Sequence, residues 1–275
     1  MVGVPGRAVP DVLLDTVGRV AGVVQAPVGA LADDRGGRRL ERSVAVQCVT
    51  SLPETRERLS LADTDPLIGA VVGWADLTCL AINDILDGLR ASPGGTHLRA
   101  VRHIVQAEPD PDWLQRPVVE SGLRAVRDHG LGYDVLVRSR QLPQVIKLAE
   151  SIPDLRLVLD HAGKPPIAGG GLADWERQIR LLAAHPQVRR KVSGLVTEAD
   201  HAKWTVADIR PVWDVLLSAF GPYRLMFGSD WPVCVLAGGW NRWAATVEEL
   251  LHGCSASETR AILAGTATDF YRLGA

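Results

Sequence analysis

From residue 43 onward the chain alternates between short unbroken apolar runs and longer segments whose apolar positions recur every three to four residues. Residues 43–48 (SVAVQC) predict a buried strand, and residues 51–65, opening on serine, proline and glutamate, predict a capped helix. The same pairing repeats down the chain. Strands are predicted at 67–74, 98–105, 133–137, 156–161, 188–196 and 224–228. Helices follow them at 82–92, 112–130, 142–152, 172–186, 206–221 and 241–251, and a closing helix at 255–273. The strands are rich in Val, Ile and Leu and lack polar alternation, the pattern of a parallel sheet buried on both faces by helices.

Seven strand–helix units are visible in this way, and Val12-Leu-Leu-Asp15 is the simplest eighth strand. Eight such units in about 250 residues have the dimensions of a (β/α)8 barrel. An open doubly wound sheet is the alternative, but it would carry a Gly-x-Gly-x-x-Gly turn after its first strand, and the chain has none. The expected organisation is one barrel domain over residues 1–275, with 1–42 an atypical segment rich in Gly, Arg, Val and Pro. Within that segment Gly36-Gly37 falls where a helix should lead into the next strand.

Composition narrows the class further. Hydrophobic residues make up 47% and charged residues 23% of the 275, as in an ordinary soluble globular protein. A formal net charge of −2 gives no reason to expect a nucleic-acid or anionic-membrane partner. No apolar run approaches the roughly 18 residues of a membrane span. Asp11, Asp15 and Arg19 interrupt any signal-peptide core. Cys48, Cys79, Cys234 and Cys254 form no Cys-x-x-Cys pair, so a reducing, cytoplasmic setting is expected. The expected partner is a small-molecule substrate, with self-association into a homo-oligomer open.

In a barrel of this kind the chemistry sits at the C-terminal ends of the strands. Those ends carry Gln47 and Cys48, Trp74 with Asp76, Arg102 with His103, Arg138, Asp160 with His161, Ser193, and Asp230. Histidines and a carboxylate converging on one mouth can bind a divalent metal, or polarise a carbonyl while the carboxylate activates water. The candidate catalytic residues are Asp230, His161 and His103, and the candidate metal ligands are His161 and Asp230. Arg102, Ser193, Trp74 and Trp231 are the candidate substrate contacts. Each has a plainer reading beside it. Asp230 could cap a helix or pair with an arginine, His161 could be a buried imidazole bonded to backbone, Arg102 could form a rim ion pair, and Arg102 in place of His103 could be the residue that faces inward. Ser193 could merely be small enough for a crowded barrel, and Trp74, Trp231 and Trp240 could be packing residues. The run Arg189-Arg190-Lys191 is expected to be solvated and ion-paired.

The segments AVRHIVQAEPDPDWL, LVLDHAGKPPI, KVSGLVTEAD and LMFGSDWPVC, in that order, resemble the lactonase-like branch of the amidohydrolase superfamily. That branch holds sugar-lactone hydrolases of the fuconolactone and rhamnonolactone type and pyrone dicarboxylate lactonases. The resemblance covers residues 43–275. It implies a barrel that opens a lactone by water attack, with Asp230 as base and metal ligand, and His161 as metal ligand or carbonyl-polarising group. It assigns His103 and Arg102 to the substrate carbonyl or its polar substituents. One divalent ion, zinc or manganese, is implied, and metal-free hydrolysis is the alternative. The family's first strand ends in a His-x-His pair, yet the first 42 residues here contain no histidine; Val17 and Arg19 stand in its place. The strand at 133–137 also lacks the histidine of binuclear members. Three readings of this departure stand: a frame-shifted N-terminal segment, metal-free hydrolysis through Asp230, His161 and Arg102, or a catalytically impaired homologue. Metal-dependent decarboxylation is the other enzymatic reading.

Overall fold

The computed structural model describes residues 40–273. Seven strands form one all-parallel sheet whose neighbours follow chain order. They are β1 (Ser43–Val46), β2 (Ile68–Gly73), β3 (Leu98–His103), β4 (Gly132–Val135), β5 (Leu157–Leu159), β6 (Val188–Val192) and β7 (Leu225–Phe227). The crossover helices are α1 (Leu52–Thr64), α2 (Ile82–Arg90), α3 (Pro117–Asp128), α4 (Leu142–Ser151), α5 (Leu172–Ala183) and α6 (Val206–Phe220), with α7 (Gly239–Leu250) after β7. This is the topology expected of a (β/α)8 barrel, and the strand expected at Val12–Asp15 lies outside the described residues. No described helix is long and apolar enough to cross a membrane. All four cysteines are free thiols.

The absence of polar alternation has a simple cause. One set of alternate strand residues, including Val71, Val101, Val135, Leu159 and Val192, packs under the helices in the larger core. The other set, including Val44, Val46, Ala70, Val72, Ala100, Val158 and Met226, meets Phe270, Tyr271 and Leu273 inside the curled sheet. Both faces are therefore dry, and each fully buried Val or Leu contributes roughly 1.5–3 kcal/mol.

Several strands are shorter than expected, the one expected at 188–196 stopping at Val192, and three further departures have a clear cause. The helix expected at 112–130 divides into a 3-10 turn, Trp113–Gln115, and α3, because Pro117 holds Arg116 extended at φ −66° and ψ 130°. The strand expected at 156–161 stops at Leu159, since His161 and Ala162 take left-handed backbone in the turn Asp160–Gly163. The closing helix runs as α8 (Ala256–Arg260), a π turn (Ala261–Gly265) and α9 (Thr266–Tyr271). Ser255 caps its start by accepting from the Glu258 N–H while Glu258 reaches back to the Ser255 N–H.

Candidate active site

Because the strands are parallel, their C-terminal ends open on one mouth. His161 and Asp230 meet there. The His161 Nε2 and Asp230 Oδ1 atoms are 3.6 Å apart, and their side chains are 12% and 13% exposed. That separation is longer than a hydrogen bond and leaves both atoms directed at a shared space. On its other side the imidazole Nδ1 is 3.0 Å from Ser193 Oγ. Burial pushes the His161 pKa below its ordinary value, an effect that the nearby Asp230 and Asp160 carboxylates only partly offset. The imidazole is therefore neutral at pH 7.

Backbone geometry fixes this pair. His161, Ala162, Lys164 and Asp230 all have φ between 49° and 53°, a left-handed region that side-chain-bearing residues seldom adopt. Such strain persists where surrounding bonds over-determine it. The Lys164 N–H donates to His161 O at 2.8 Å, Trp175 Nε1 donates to Ala162 O at 2.8 Å, and the Cys234 N–H donates to Asp230 O at 2.9 Å. Gly194 is the complementary requirement: at φ +62°, a Cβ there would lie 2.6 Å from Cγ and Nδ1 of the His161 ring. Gly194→Ala is expected to turn the imidazole away from Asp230 and lower kcat/KM about 10²-fold. Its stability cost, about 1–2 kcal/mol for the left-handed alanine, is read from denaturant unfolding.

Beneath the mouth lies a buried ion network. Lys191 Nζ stands 2.5 Å from Asp134 Oδ2 and 2.7 Å from Asp160 Oδ1, and Arg102 Nη1 is 2.8 Å from Asp160 Oδ2. The Tyr271 hydroxyl donates to Asp134 Oδ2 at 2.7 Å. Two carboxylates face two cations, so the cluster is neutral as a whole. Burial by itself would raise the Asp160 pKa, but Lys191 and Arg102 outweigh it and hold the carboxyl below the usual range. For Asp134 burial wins over Lys191, and its pKa is raised. Arg102 also donates to the Gln47 carbonyl oxygen and, at 3.3 Å from Nε, to Gln47 Oε1. The buried Gln47 Nε2 has no hydrogen-bond partner among the described residues.

Of the expected site residues, then, His161 and Asp230 are brought together, while the others take different places. Arg102 is the ion-paired arginine and not a free clamp. Ser193 is 1% exposed and lies against Nδ1 of His161, the ring nitrogen that does not face Asp230. His103 does not join the pair: the pleat turns it toward the helices, where it stacks on Trp113 with centroids 4.1 Å apart. Both its ring nitrogens are engaged by protein groups, Nδ1 accepting from Trp74 Nε1 at 3.1 Å and Nε2 lying 2.6 Å from Glu108 Oε1. Trp74 is half-buried at the mouth, and Trp231 is half-buried beside Asp230 with its N–H donating to Ser229 Oγ. Trp240 is a core residue packed edge-on against Phe227.

The basic run at 189–191 is corrected in part: Arg189 is half-buried and Lys191 is ion-paired as expected, but Arg190 and Lys191 are buried. Arg190 is wholly buried on the helix side, its guanidinium 4.3 Å from the Phe220 ring centre, and Lys191 is buried on the interior side. Strand β6 carries these residues through the barrel wall, so the pleat sends neighbours to opposite faces and both are largely withdrawn from solvent. Lys191 and Asp134 are the members of this network that sequence reasoning missed. Counting back by two from Ser193 along β6 would have placed Lys191 inside.

Catalytic zinc takes three protein ligands and a water. Among the described residues no group of three His, Cys, Asp or Glu side chains stands close enough to hold an ion. His161 and Asp230 alone do not fit that requirement.

A family model described as amidohydrolase matches residues 13–273. An L-fucono-1,5-lactonase of Burkholderia ambifaria is 37% identical over 238 residues, covering 85% of this chain and 81% of that protein. An L-fucono-1,5-lactonase of Burkholderia multivorans is 41% identical over 245 residues, with the same coverage of 85% and 81%. Among solved structures, a Burkholderia multivorans amidohydrolase with bound zinc superposes with a TM-score of 0.83 at 40% identity, covering 89% of this chain and 88% of that one.

Proposed function

The chain belongs to the amidohydrolase family, and from that premise we propose that it opens a small sugar-acid lactone by water attack, with Asp230 as the base. The observation that carries this reading is the facing pair of Asp230 Oδ1 and His161 Nε2, 3.6 Å apart and held by left-handed backbone, in a chain similar to two L-fucono-1,5-lactonases.

Lactone hydrolysis needs a base for water and positive character where the carbonyl oxygen gains charge. Asp230 takes a proton from the water as its oxygen bonds to the carbonyl carbon. Neutral His161, with Ser193 donating to Nδ1, carries its proton on Nε2 and offers that N–H to the developing oxyanion. Collapse of the tetrahedral intermediate breaks the bond between carbonyl carbon and ring oxygen. The proton held on Asp230 passes to the departing alkoxide, leaving a hydroxy acid. The network beneath, in which Arg102 and Lys191 face Asp160 and Asp134, balances its charges, so it steadies the turn that bears His161 without competing for the negative charge that develops at the mouth. Since the donor set of the described residues stops at two, no step is routed through a metal.

The test is a panel of sugar-acid and carboxylated lactones followed with a pH indicator, each with chelator and with added zinc or manganese. Turnover of a sugar lactone that survives chelation supports this reading. Silence on every lactone under every metal condition would instead support an impaired homologue. The pH profile gives a second check. If neutral His161 is required, the rate is flat through neutrality and falls on the acid side with an apparent pKa below histidine's ordinary 6.5. The stability sign agrees: a histidine whose folded pKa is lowered binds fewer protons folded than unfolded, so its contribution is lost as pH falls from about 6.5 toward the folded value. An acid limb above 6.5 contradicts the assignment.

A further inference from the structure

The unused part of the mouth is a chain of aromatic and polar contacts at the ends of β2 and β3. Trp74 lies directly beyond the C-terminal end of β2, the end that opens on the mouth, and its side chain is half-buried. Its backbone is clamped on both sides by one hydroxyl. The Trp74 N–H donates to Thr55 Oγ1 at 2.8 Å, and that hydroxyl is 3.0 Å from the Trp74 carbonyl oxygen. Gly73 makes the clamp possible, because a Cβ there would lie 2.4 Å from Thr55 Cγ2.

The indole itself is fixed from its far edge. Trp74 Nε1–H donates to His103 Nδ1, which leaves the proton of the neutral imidazole on Nε2, directed at Glu108 Oε1. Trp113 holds the imidazole plane from one side, its ring parallel within 8°. The indole N–H and both imidazole nitrogens are engaged inside the protein, so none of these is available for chemistry. What the relay leaves available is the face of a half-buried indole that cannot rotate.

We propose that His103 and Glu108 are positioning residues, which lock the Trp74 indole as a flat wall against which the apolar C–H face of the lactone ring stacks. The inference rests on the lactonase reading above and names how that site recognises its substrate. Because the indole N–H is committed to His103, the wall contributes stacking and no hydrogen bond. It therefore favours rings with an uninterrupted C–H face or a methyl substituent. The wall acts on ground state and transition state alike, so its loss raises KM and leaves kcat in place.

The experiment compares Glu108→Ala, Glu108→Gln, Trp74→Ala and the double variant Glu108→Ala/Trp74→Ala, using L-fucono-1,5-lactone as substrate. Glu108→Ala is expected to raise KM about tenfold with kcat within about twofold. Glu108→Gln keeps an acceptor for the His103 N–H and is expected to stay near the wild-type KM. In the double variant the KM matches that of Trp74→Ala alone, since Glu108 acts through the indole. The indole N–H resonance of Trp74, identified by its loss in Trp74→Phe, should shift in Glu108→Ala and stay in place in Glu108→Gln. A fall in kcat with unchanged KM, or additive effects in the double variant, would overturn the positioning role. Should the wild-type chain turn over no lactone, the reaction assignment falls on its own. The resonance then still decides the relay, and a Trp74 signal unmoved in Glu108→Ala overturns it.

Discussion

Asp230→Asn is expected to lower kcat/KM about 10³-fold on any lactone the wild-type chain opens, the size of effect that loss of a positioned general base produces. The substitution is chosen for what it leaves intact. Asparagine matches aspartate in shape and is among the few residues that tolerate left-handed backbone, so the φ of +53° at this position is retained. The Cys234 N–H still finds the carbonyl oxygen of residue 230, since that bond is made by the main chain. What disappears is the ability to take a proton from water. Progress curves with a pH indicator give the rate, and thermal unfolding of both proteins confirms that the fold is kept. A loss smaller than tenfold would remove Asp230 from the role of base.

Lys191→Met is expected to be the most destabilising single change at the site. It strips the shared cation from Asp134 and Asp160, both 0% exposed. Breaking a buried ion pair from one side costs about 3–5 kcal/mol, because the remaining charge has no solvent to turn to. Asp160 keeps Arg102, whereas among the described residues Asp134 keeps the Tyr271 hydroxyl and no cation in direct contact. The damage therefore concentrates on Asp134, whose pKa is already raised by burial and rises further without Lys191. A carboxyl with a raised folded pKa binds more protons folded than unfolded, so the variant regains stability relative to wild type as pH falls. Adding Asp134→Asn to the variant removes the stranded charge and should restore most of the loss at neutral pH. Urea unfolding at pH 7 and at pH 5 measures both effects. A Lys191→Met protein within about 1 kcal/mol of wild type at pH 7 would show that the network does not hold the barrel interior together.

How much of this was legible in the sequence depends on what each residue's neighbours decide. Most of the strands were readable because a strand buried on both faces is mainly apolar and these runs recur between helical segments, whereas β6 (VRRKV) was readable only from its place in that repeat. Their ends were less so. His161 and Asp230 stood out as polar groups after apolar runs, but the left-handed turns that aim them at each other depend on Gly194 and Trp175, distant in the chain, as well as on local main-chain bonds. Pro117 was visible, and its effect on residue 116 could have divided the expected helix. Arg102 and His103 could not be ranked, since adjacency on a strand says that they face opposite ways and not which faces inward. Trp113 settles that by stacking on His103. Lys191 was hidden by its two arginine neighbours, because three basic residues in a row read as surface until the strand is known to pass through a wall.

The contacts made by the last helix carry one more consequence. The Tyr271 hydroxyl reaches Asp134 across 137 positions of sequence, and Arg156 reaches the Phe270 carbonyl oxygen across 114. Loop-closure entropy must be met before contacts so far apart can form. On the ribosome, Asp134 and the other interior charges leave the exit tunnel long before their C-terminal partner exists. Vectorial synthesis thus cannot seal this barrel progressively. The emerging strands wait, half-enclosed, for a closing step that begins only when the final turn of helix has been made, and that interval is when the nascent chain is most exposed to misassembly.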